Sequence, residues 1–292
     1  MSRRPLRSML FTPGNRPEMV AKVAGYDADA VILDLEDSVP LADKAATRPL
    51  VRAALPGLAG APRYVRVNAM DTSLTFDDLA AVVCADLDGV VLPKVESADE
   101  LLAVERRLAE LEQATGCEKG RIDLIPLIET ARGVLNSREI AERGQRIRQI
   151  GFGAGDFRRD VAVSFSGSLW EPDGLELLFA RSQVVLVSRA AGLEPPMDTV
   201  WLDVRDPAGL EQDSRAALRL GFGGKMAIHP SQLATIHAVF TPTADELAYA
   251  RKVVDAFAQA EASGQAAIAV DGRLVDYPIA HKARWVLERA GE

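Results

Sequence analysis

Cysteine and histidine are scarce in this chain. Its 292 residues hold two cysteines, Cys84 and Cys117, and three histidines, His229, His237 and His281. Two thiols make neither a disulfide framework nor a zinc site, and three scattered imidazoles make no histidine-rich metal centre. Aromatic residues are 5% of the chain, and Trp170, Trp201 and Trp285 read as packing residues rather than ligand platforms. No run approaches the ~20 consecutive apolar residues that a membrane span needs. Met1 to Arg7 is basic, but only Ser8 to Phe11 follows before Thr12-Pro13-Gly14, too short an apolar run for a signal peptide. The cytoplasm is the expected compartment. Positive charge is in deficit as well. The chain has 34 Lys and Arg against 42 Asp and Glu, a net charge of −8, which argues against nucleic acid or an anionic membrane as the main partner.

What is there is an alternation. Short apolar runs near Arg7–Phe11, Ala30–Leu35, Tyr64–Asn68, Gly89–Pro93, Asp123–Ile128, Ile147–Phe152, Thr199–Leu202 and Gly224–Ile228 read as parallel strands covered on both faces. Amphipathic stretches lie between them. The clearest is Ala98–Gln113, with Leu101, Leu102, Val104, Leu108 and Leu111 at helical spacing. Others are Arg16–Ala24, Phe76–Cys84, Thr130–Arg143, Pro172–Ala191, Gly209–Leu220 and Ser231–Val239. Asn15, Ser97 (with Glu100 three residues on) and Ser231 read as helix caps. Eight strands alternating with helices predict an α/β fold, a (β/α)8 barrel over residues 1–240. Phe157–Asp173 reads as a long loop after strand six, a length that is more often functional than accidental. The tail, 241–292, reads as a helical extension or lid.

In such a barrel the active site collects at the C-terminal ends of the strands. Those ends carry charge: Asp34-Leu35-Glu36-Asp37, Arg66 and Asn68, Lys94 and Glu96, Glu129, Asp156 and His229. Charged groups are rarely buried unless paired or metal-bound, so a ring of them is hard to explain as packing. Glu129 and Asp156 end successive strands ~4.8 Å apart, close enough to share one octahedral Mg2+. Equally, Glu129 caps the next helix and Asp156 is a turn residue. Gly153 and Gly155 would let substrate or solvent near the backbone. Alternation puts Tyr64, Arg66 and Asn68 on one strand face. Arg66 then points into the barrel toward a bidentate substrate carboxylate, or toward Glu36 or Asp37. Of Glu36 and Asp37, one faces the mouth and the other caps the loop. Lys94 either balances the carboxylates or is an ordinary ion-pair partner. His229 reads first as a structural group. The turn around Gly14 is a plausible anion loop, or any Pro-Gly turn.

Taken together, several stretches resemble the citrate lyase β-subunit-like enzymes of the HpcH/HpaI aldolase/citrate lyase superfamily. They are Arg7–Asn15, Leu33–Val39, Arg66-Val67-Asn68, Leu92–Glu96, Ile128–Ala131, Gly153–Asp156 and Gly224–Pro230, in family order over nearly the whole chain. The resemblance implies a (β/α)8 barrel with Mg2+ held by Glu129 and Asp156. It implies that Arg66 binds the carboxylate of a small oxo acid (oxaloacetate, pyruvate or glyoxylate). A CoA thioester is implied near Phe11, Arg16, Lys22, Ile228 and His229. The tail Asp271–Pro278 looks like the family's lid motif, with Asp276 reaching a neighbouring subunit's site as acid/base. Leu274 departs from the Met that the family more often has there. A homotrimer or hexamer is implied. The expected activity is Mg2+-dependent cleavage of a citramalyl-, malyl- or citryl-CoA to acetyl-CoA and an oxo acid. Alternatives are a citrate lyase β subunit acting on an acyl carrier protein, a malyl-CoA thioesterase, or a CoA-free pyruvate aldolase, which the tail argues against. A non-enzymatic scaffold is disfavoured by intact Glu129 and Asp156.

Overall fold

The run Ala30–Asp34 is buried at every position, which only a strand covered on both faces allows. It is the second of eight. The computed structural model describes residues 5–58, 60–163 and 174–291. Strands β1 (Ser8–Pro13), β2 (Ala30–Asp34), β3 (Arg63–Arg66), β4 (Gly89–Leu92), β5 (Asp123–Ile128), β6 (Gly151–Phe152), β7 (Met197–Asp198) and β8 (Gly224–Ala227) pair in sequence order, and β8 closes onto β1. Every pairing is parallel. The helices are α1 (Pro17–Val23), α2 (Lys44–Ala54), α3 (Thr75–Val82), α4 (Ala98–Thr115), α5 (Ala131–Arg143), α6 (Ala154–Asp160), α7 (Leu175–Ala190), α8 (Pro207–Leu220) and α9 (Leu233–Phe240). The expected (β/α)8 barrel is therefore present.

Strand parity sets the interior. Met9, Ala30, Ile32, Tyr64, Val91, Ile125, Leu127, Met197 and Met226 form one buried cluster inside the barrel. With a period of two, the next interior positions are Phe11, Asp34, Arg66 and Glu129. The apolar layers thus end where the charges begin.

Several boundaries differ from the sequence expectation. The seventh strand is Met197–Asp198, not Thr199–Leu202, because only Met197 and Asp198 find ladder partners, on Gly151, Gly224 and Lys225. Helix α2 was hidden by Pro49 in its middle, where a proline removes a helical hydrogen bond. Helix α6 runs to Asp160, so the expected loop from Phe157 begins as helix. The rest of that loop, 164–173 with Trp170, lies outside the described residues. Ser97 and Glu100 do form a capping box on α4. Asn15 and Ser231 do not cap: Arg16 occupies the α1 N-cap without a side-chain bond. At the turn Pro230–Gln232 the cap is the His229 ring.

A second compact unit begins at Val239. It holds α10 (Ala244–Ala262), opened by a Thr243–Glu246 capping box, and α11 (Tyr277–Ala290). Between these two helices is a hairpin of β9 (Ala267–Val270) and β10 (Arg273–Asp276), which the expectation of a helical tail did not include. Asp271 (φ 47°) and Gly272 (φ 74°) make its two-residue turn, both left-handed as a tight hairpin requires. Val253, Phe257, Val270 and Val275 pack as its core. Among the described residues, no helix is long and apolar enough to cross a membrane.

Candidate active site

Interior parity delivers three charges to the C-terminal mouth of the barrel, the loops add three more (Glu36, Asp37 and Lys94), and α6 adds Asp156. Asp34 ends β2, and its carboxylate takes the whole fork of Arg66: Nε to Oδ1 and Nη2 to Oδ2, both 2.7 Å. Asp34 also accepts the backbone N–H groups of Glu36 (2.9 Å) and Ser38 (3.1 Å), which turns the chain after β2. Burial alone would lift the Asp34 carboxyl, but the Arg66 charge and these bonds hold it below the usual range. Burial would likewise weaken the guanidinium, yet Asp34 and Glu36 raise its pKa well above normal.

Of the two sequence readings of Arg66, the ion pair to Glu36 is present, and the structure adds a stronger partner. The bidentate edge of Arg66 belongs to Asp34, a residue the sequence reading passed over in favour of Glu36 and Asp37. One nitrogen remains. Nη1 lies 2.9 Å from Glu36 Oε2 and 3.7 Å from Asp37. The guanidinium stacks over Phe11, 4.7 Å from the ring centroid. Asn68 stays behind the site, bonded to Asp78 (2.6 Å) and the Leu35 carbonyl (3.1 Å).

Glu129 follows β5 and does not cap α5; Thr130 does, accepting from the Gly133 N–H at 3.0 Å. Instead Glu129 Oε1 accepts the Lys94 backbone N–H at 2.8 Å. Lys94 reaches that position with φ 51°, a left-handed backbone that costs a non-glycine residue energy. Gly153 presses on the other oxygen: a Cβ there would sit 2.0 Å from Glu129 Oε2. Glycine is needed at 153 to admit the Glu129 carboxylate, not the substrate as expected, while Gly155 faces open space. Buried, and facing Glu36 and Asp156, Glu129 is pushed up to about 8.

Asp156 sits in the first turn of α6 rather than in a free turn. The Lys94 ammonium lies 3.5 Å from it, bonds Glu36 Oε1, and approaches Asp37 at 3.8 Å. Arg159 holds the far side of Asp156 at 2.9 Å. Burial lifts the Glu36 carboxyl, opposed by Arg66 and aided by Asp37. Lys94 is therefore both a counter-charge and, through its N–H, a support for Glu129.

These groups border a cavity of about 480 Å3. Phe11, Asp34, Asp37, Arg66, Glu129, Asp156 and Ile228 line it. Arg16, Lys22 and His229 do not line it; all three are exposed. The His229 ring bonds Ser231 at 2.8 Å, as a structural group would. Asp276 belongs to the second unit, where it caps α11 by accepting from the Ile279 N–H at 3.3 Å.

The chemistry of this mouth is that of a hard divalent cation. All its donors are oxygens. Five carboxylates (Asp34, Glu36, Asp37, Glu129, Asp156) face Arg66 and Lys94, with Arg159 at the rim. Glu129 is the group with most to gain from a cation: it is 4% exposed, and among the described residues its Oε2 accepts no hydrogen bond. No set of three His, Cys, Asp or Glu ligands converges among the described residues. A pair of carboxylates completed by water and a chelating substrate suits Mg2+, which retains several non-protein ligands.

A second charge cluster went unread in the sequence. Arg181 (α7), Asp213 (α8), Asp198 (β7) and Lys225 (β8) bond one another: Arg181 to Asp198 at 2.6 and 3.0 Å and to Asp213 at 2.8 Å, Lys225 to Asp198 at 2.7 Å, and Lys225 to Asp213. Asp198 and Lys225 have the parity opposite to Met197 and Met226, so they face the helices. The available signal was a lysine and an aspartate inside apolar strands, each needing a buried partner.

Comparison with known proteins agrees with this geometry. Residues 7–230 match the family HpcH/HpaI aldolase/citrate lyase. The citrate lyase subunit beta of Escherichia coli K12 is 39% identical over 289 residues, 98% of this chain and 94% of that protein. The human mitochondrial citramalyl-CoA lyase is 30% identical over 292 residues, 96% of this chain and 84% of that protein. The crystal structure of CitE from Mycobacterium tuberculosis, in complex with magnesium, acetoacetate and coenzyme A, superposes with a TM-score of 0.78 at 34% identity, covering 99% of both chains. The chain belongs to the HpcH/HpaI aldolase/citrate lyase family.

Proposed function

We propose that this chain is a Mg2+-dependent carbon–carbon lyase that cleaves a 3-hydroxyacyl-CoA to acetyl-CoA and a 2-oxo acid. One observation carries the reading: Glu129 is a fully buried carboxylate pushed up to about 8, with Asp156 beside it and a cavity in front. Such a group is costly to ionise until a cation arrives. The relatives that act on CoA thioesters, and the CitE structure that holds magnesium and coenzyme A, support the same reading.

Glu129 and Asp156 hold the metal. When bound, Mg2+ stabilises negative charge on the oxygens of the oxo-acid fragment. Arg66 offers Nη1 to the same fragment, its fork being fixed by Asp34, and Lys94 steadies Glu129 through its amide. Asp37, a cavity-lining carboxylate, takes the proton from the 3-hydroxyl, with Glu36 holding Lys94 and Arg66 beside it. The C–C bond breaks toward the thioester, whose enolate is protonated at the terminal carbon. Asp276 delivers that proton from the second unit of a neighbouring copy in a homotrimer or hexamer. Exposed Leu274, Tyr277 and Ile279 around Asp276 support a docking role for that face. Phe11 and Ile228, at the cavity wall, and Arg16, Lys22 and His229, beyond it, meet the CoA portion.

The test is to supply the purified protein with Mg2+ and citramalyl-, malyl- and citryl-CoA, following acetyl-CoA and oxo acid together by mass spectrometry. Paired release from one thioester is the expected result. Free hydroxy acid without an oxo acid would make the protein a thioesterase. The 39% identity to a citrate lyase beta subunit keeps one further outcome: silence on every CoA ester, with turnover on a citryl acyl carrier protein.

A further inference from the structure

We infer that Lys94 tunes the charge of this mouth: its ammonium opposes a divalent cation on Glu129 and Asp156 and favours the anionic oxo acid. The inference rests on the metal assignment in the lyase reading. It gives a role to a residue that does not itself line the cavity.

Lys94 acts through two separate groups. Its N–H holds Glu129 Oε1 at 2.8 Å, and the next N–H, that of Val95, donates to the Leu127 carbonyl at 3.2 Å. The amide is thus tied to β5 and the residue after it. The ammonium serves other partners. It bonds Glu36 Oε1 and lies 3.5 Å from Asp156 Oδ2 and 3.8 Å from Asp37 Oδ1. One residue therefore supports one member of the metal pair through its backbone and neutralises the other through its charge.

Two cations on one carboxylate repel each other. A divalent ion held by Asp156 shares that group with the ammonium, and a few ångströms apart in a partly dry site the repulsion lowers affinity by ~10-fold or more. Arg159 also bonds Asp156, at 2.9 Å, but its side chain is 70% exposed against 16% for Lys94. Water and salt screen the exposed charge far more than the enclosed one. The ammonium is also anchored: Glu36, which holds it, is itself fixed from the other side by Arg66 Nη1 at 2.9 Å. The same positive charge draws an anion toward a mouth lined by Asp37, Glu129 and Asp156. Lys94 thus acts with opposite sign on the two ligands.

The test reads binding rather than turnover. Mn2+, a hard cation that takes the same oxygen ligands as Mg2+, is titrated into the full chain with the free ion followed by electron paramagnetic resonance. The titration is run at about pH 8.5, above the value of about 8 that Glu129 reaches. Pyruvate is then titrated by calorimetry into protein saturated with Mn2+. Lys94→Met and Lys94→Gly both remove the ammonium, and glycine suits the left-handed backbone that carries the amide. Both variants should bind Mn2+ ~10-fold tighter and pyruvate ~3-fold more weakly. Lys94→Arg, which keeps the charge, should bring both affinities back toward the parent values. A damaged site would weaken both ligands, so the opposite shifts are the signature of charge. Absence of either shift in Lys94→Gly overturns the inference. Asp156→Ala separates it from the reading beneath. Mn2+ binding that persists in that variant removes the metal assignment and the inference with it. Binding lost there, with no tightening in Lys94→Gly, sinks the inference alone.

Discussion

The barrel holds two clusters of buried charge, and they are built on opposite terms. At β7 and β8, Arg181 and Lys225 meet Asp198 and Asp213, two against two, with every partner within the cluster. At the mouths of β2 to β6, five carboxylates face Arg66 and Lys94, and burial, aided by Glu36 and Asp156, pushes Glu129 up to about 8. In the matched cluster the Asp213 carboxyl is pulled down instead, because the charges and bonds of Lys225 and Arg181 overcome its burial. A matched cluster is complete by itself and ties the helical layer to the barrel wall. An unmatched one stores an electrostatic cost that a ligand relieves. The position in the fold differs in degree: Asp198 and Lys225 face the helices while Arg181 and Asp213 reach the cavity wall, whereas Asp34, Asp37, Arg66, Glu129 and Asp156 of the second cluster all line the cavity.

The comparison can be broken most sharply at the unmatched cluster. Glu129→Ala or Asp156→Ala should cut Mg2+-dependent turnover by ~10²–10³-fold or more while leaving the circular dichroism unchanged; normal activity in either removes the metal assignment. The matched cluster should show the reverse pattern. Lys225→Met removes one of the two cations shared by two buried aspartates, leaving Arg181 alone against both, and should cost ~3–5 kcal/mol, read as a lower urea midpoint. A midpoint close to that of the parent protein would mean that the quartet is not what holds β7 and β8 to α7 and α8.

A subtler difference lies in pH. Glu129 rises from 4.5 to about 8 on folding, so between those values the folded state binds more protons than the unfolded chain. Stability of the metal-free protein should therefore fall as pH climbs from about 4.5 to about 8. Glu129→Gln should flatten that slope, and Mg2+ should restore stability at the alkaline end. A slope of the same size in Glu129→Gln would assign it to another group. The smallest effect belongs to the rim. Arg159→Ala removes an exposed partner of Asp156 and should change stability by no more than about 1 kcal/mol by thermal melting.

Parity explains how much of this was legible. Arg66 was readable as interior because Tyr64 and Arg66 share a face of an alternating strand, and Glu129 because it ends an apolar run. Asp34 has the same parity as Ile32, yet adjacent Glu36 and Asp37 masked it. Arg16, Lys22 and His229 were proposed from resemblance, and the cavity leaves all three outside its lining. The hairpin turn Asp271-Gly272 carried its own signal, both residues being suited to positive φ. The seventh strand was misplaced by two residues because its ladder partners come from Gly151 and Gly224, far away in the chain.

The sequence by itself determined the barrel, the order of its strands and the end at which charge collects. Those follow from local periodicity and from the rule that parallel strands place loops and function at their C-terminal ends. Only the tertiary structure decided which charges are satisfied. Asp34 claims the Arg66 fork, Glu176 claims Arg158, and Lys94 turns left-handed to bring its amide to Glu129. A pairing between charges distant in the chain depends on sub-ångström geometry, which no periodicity encodes.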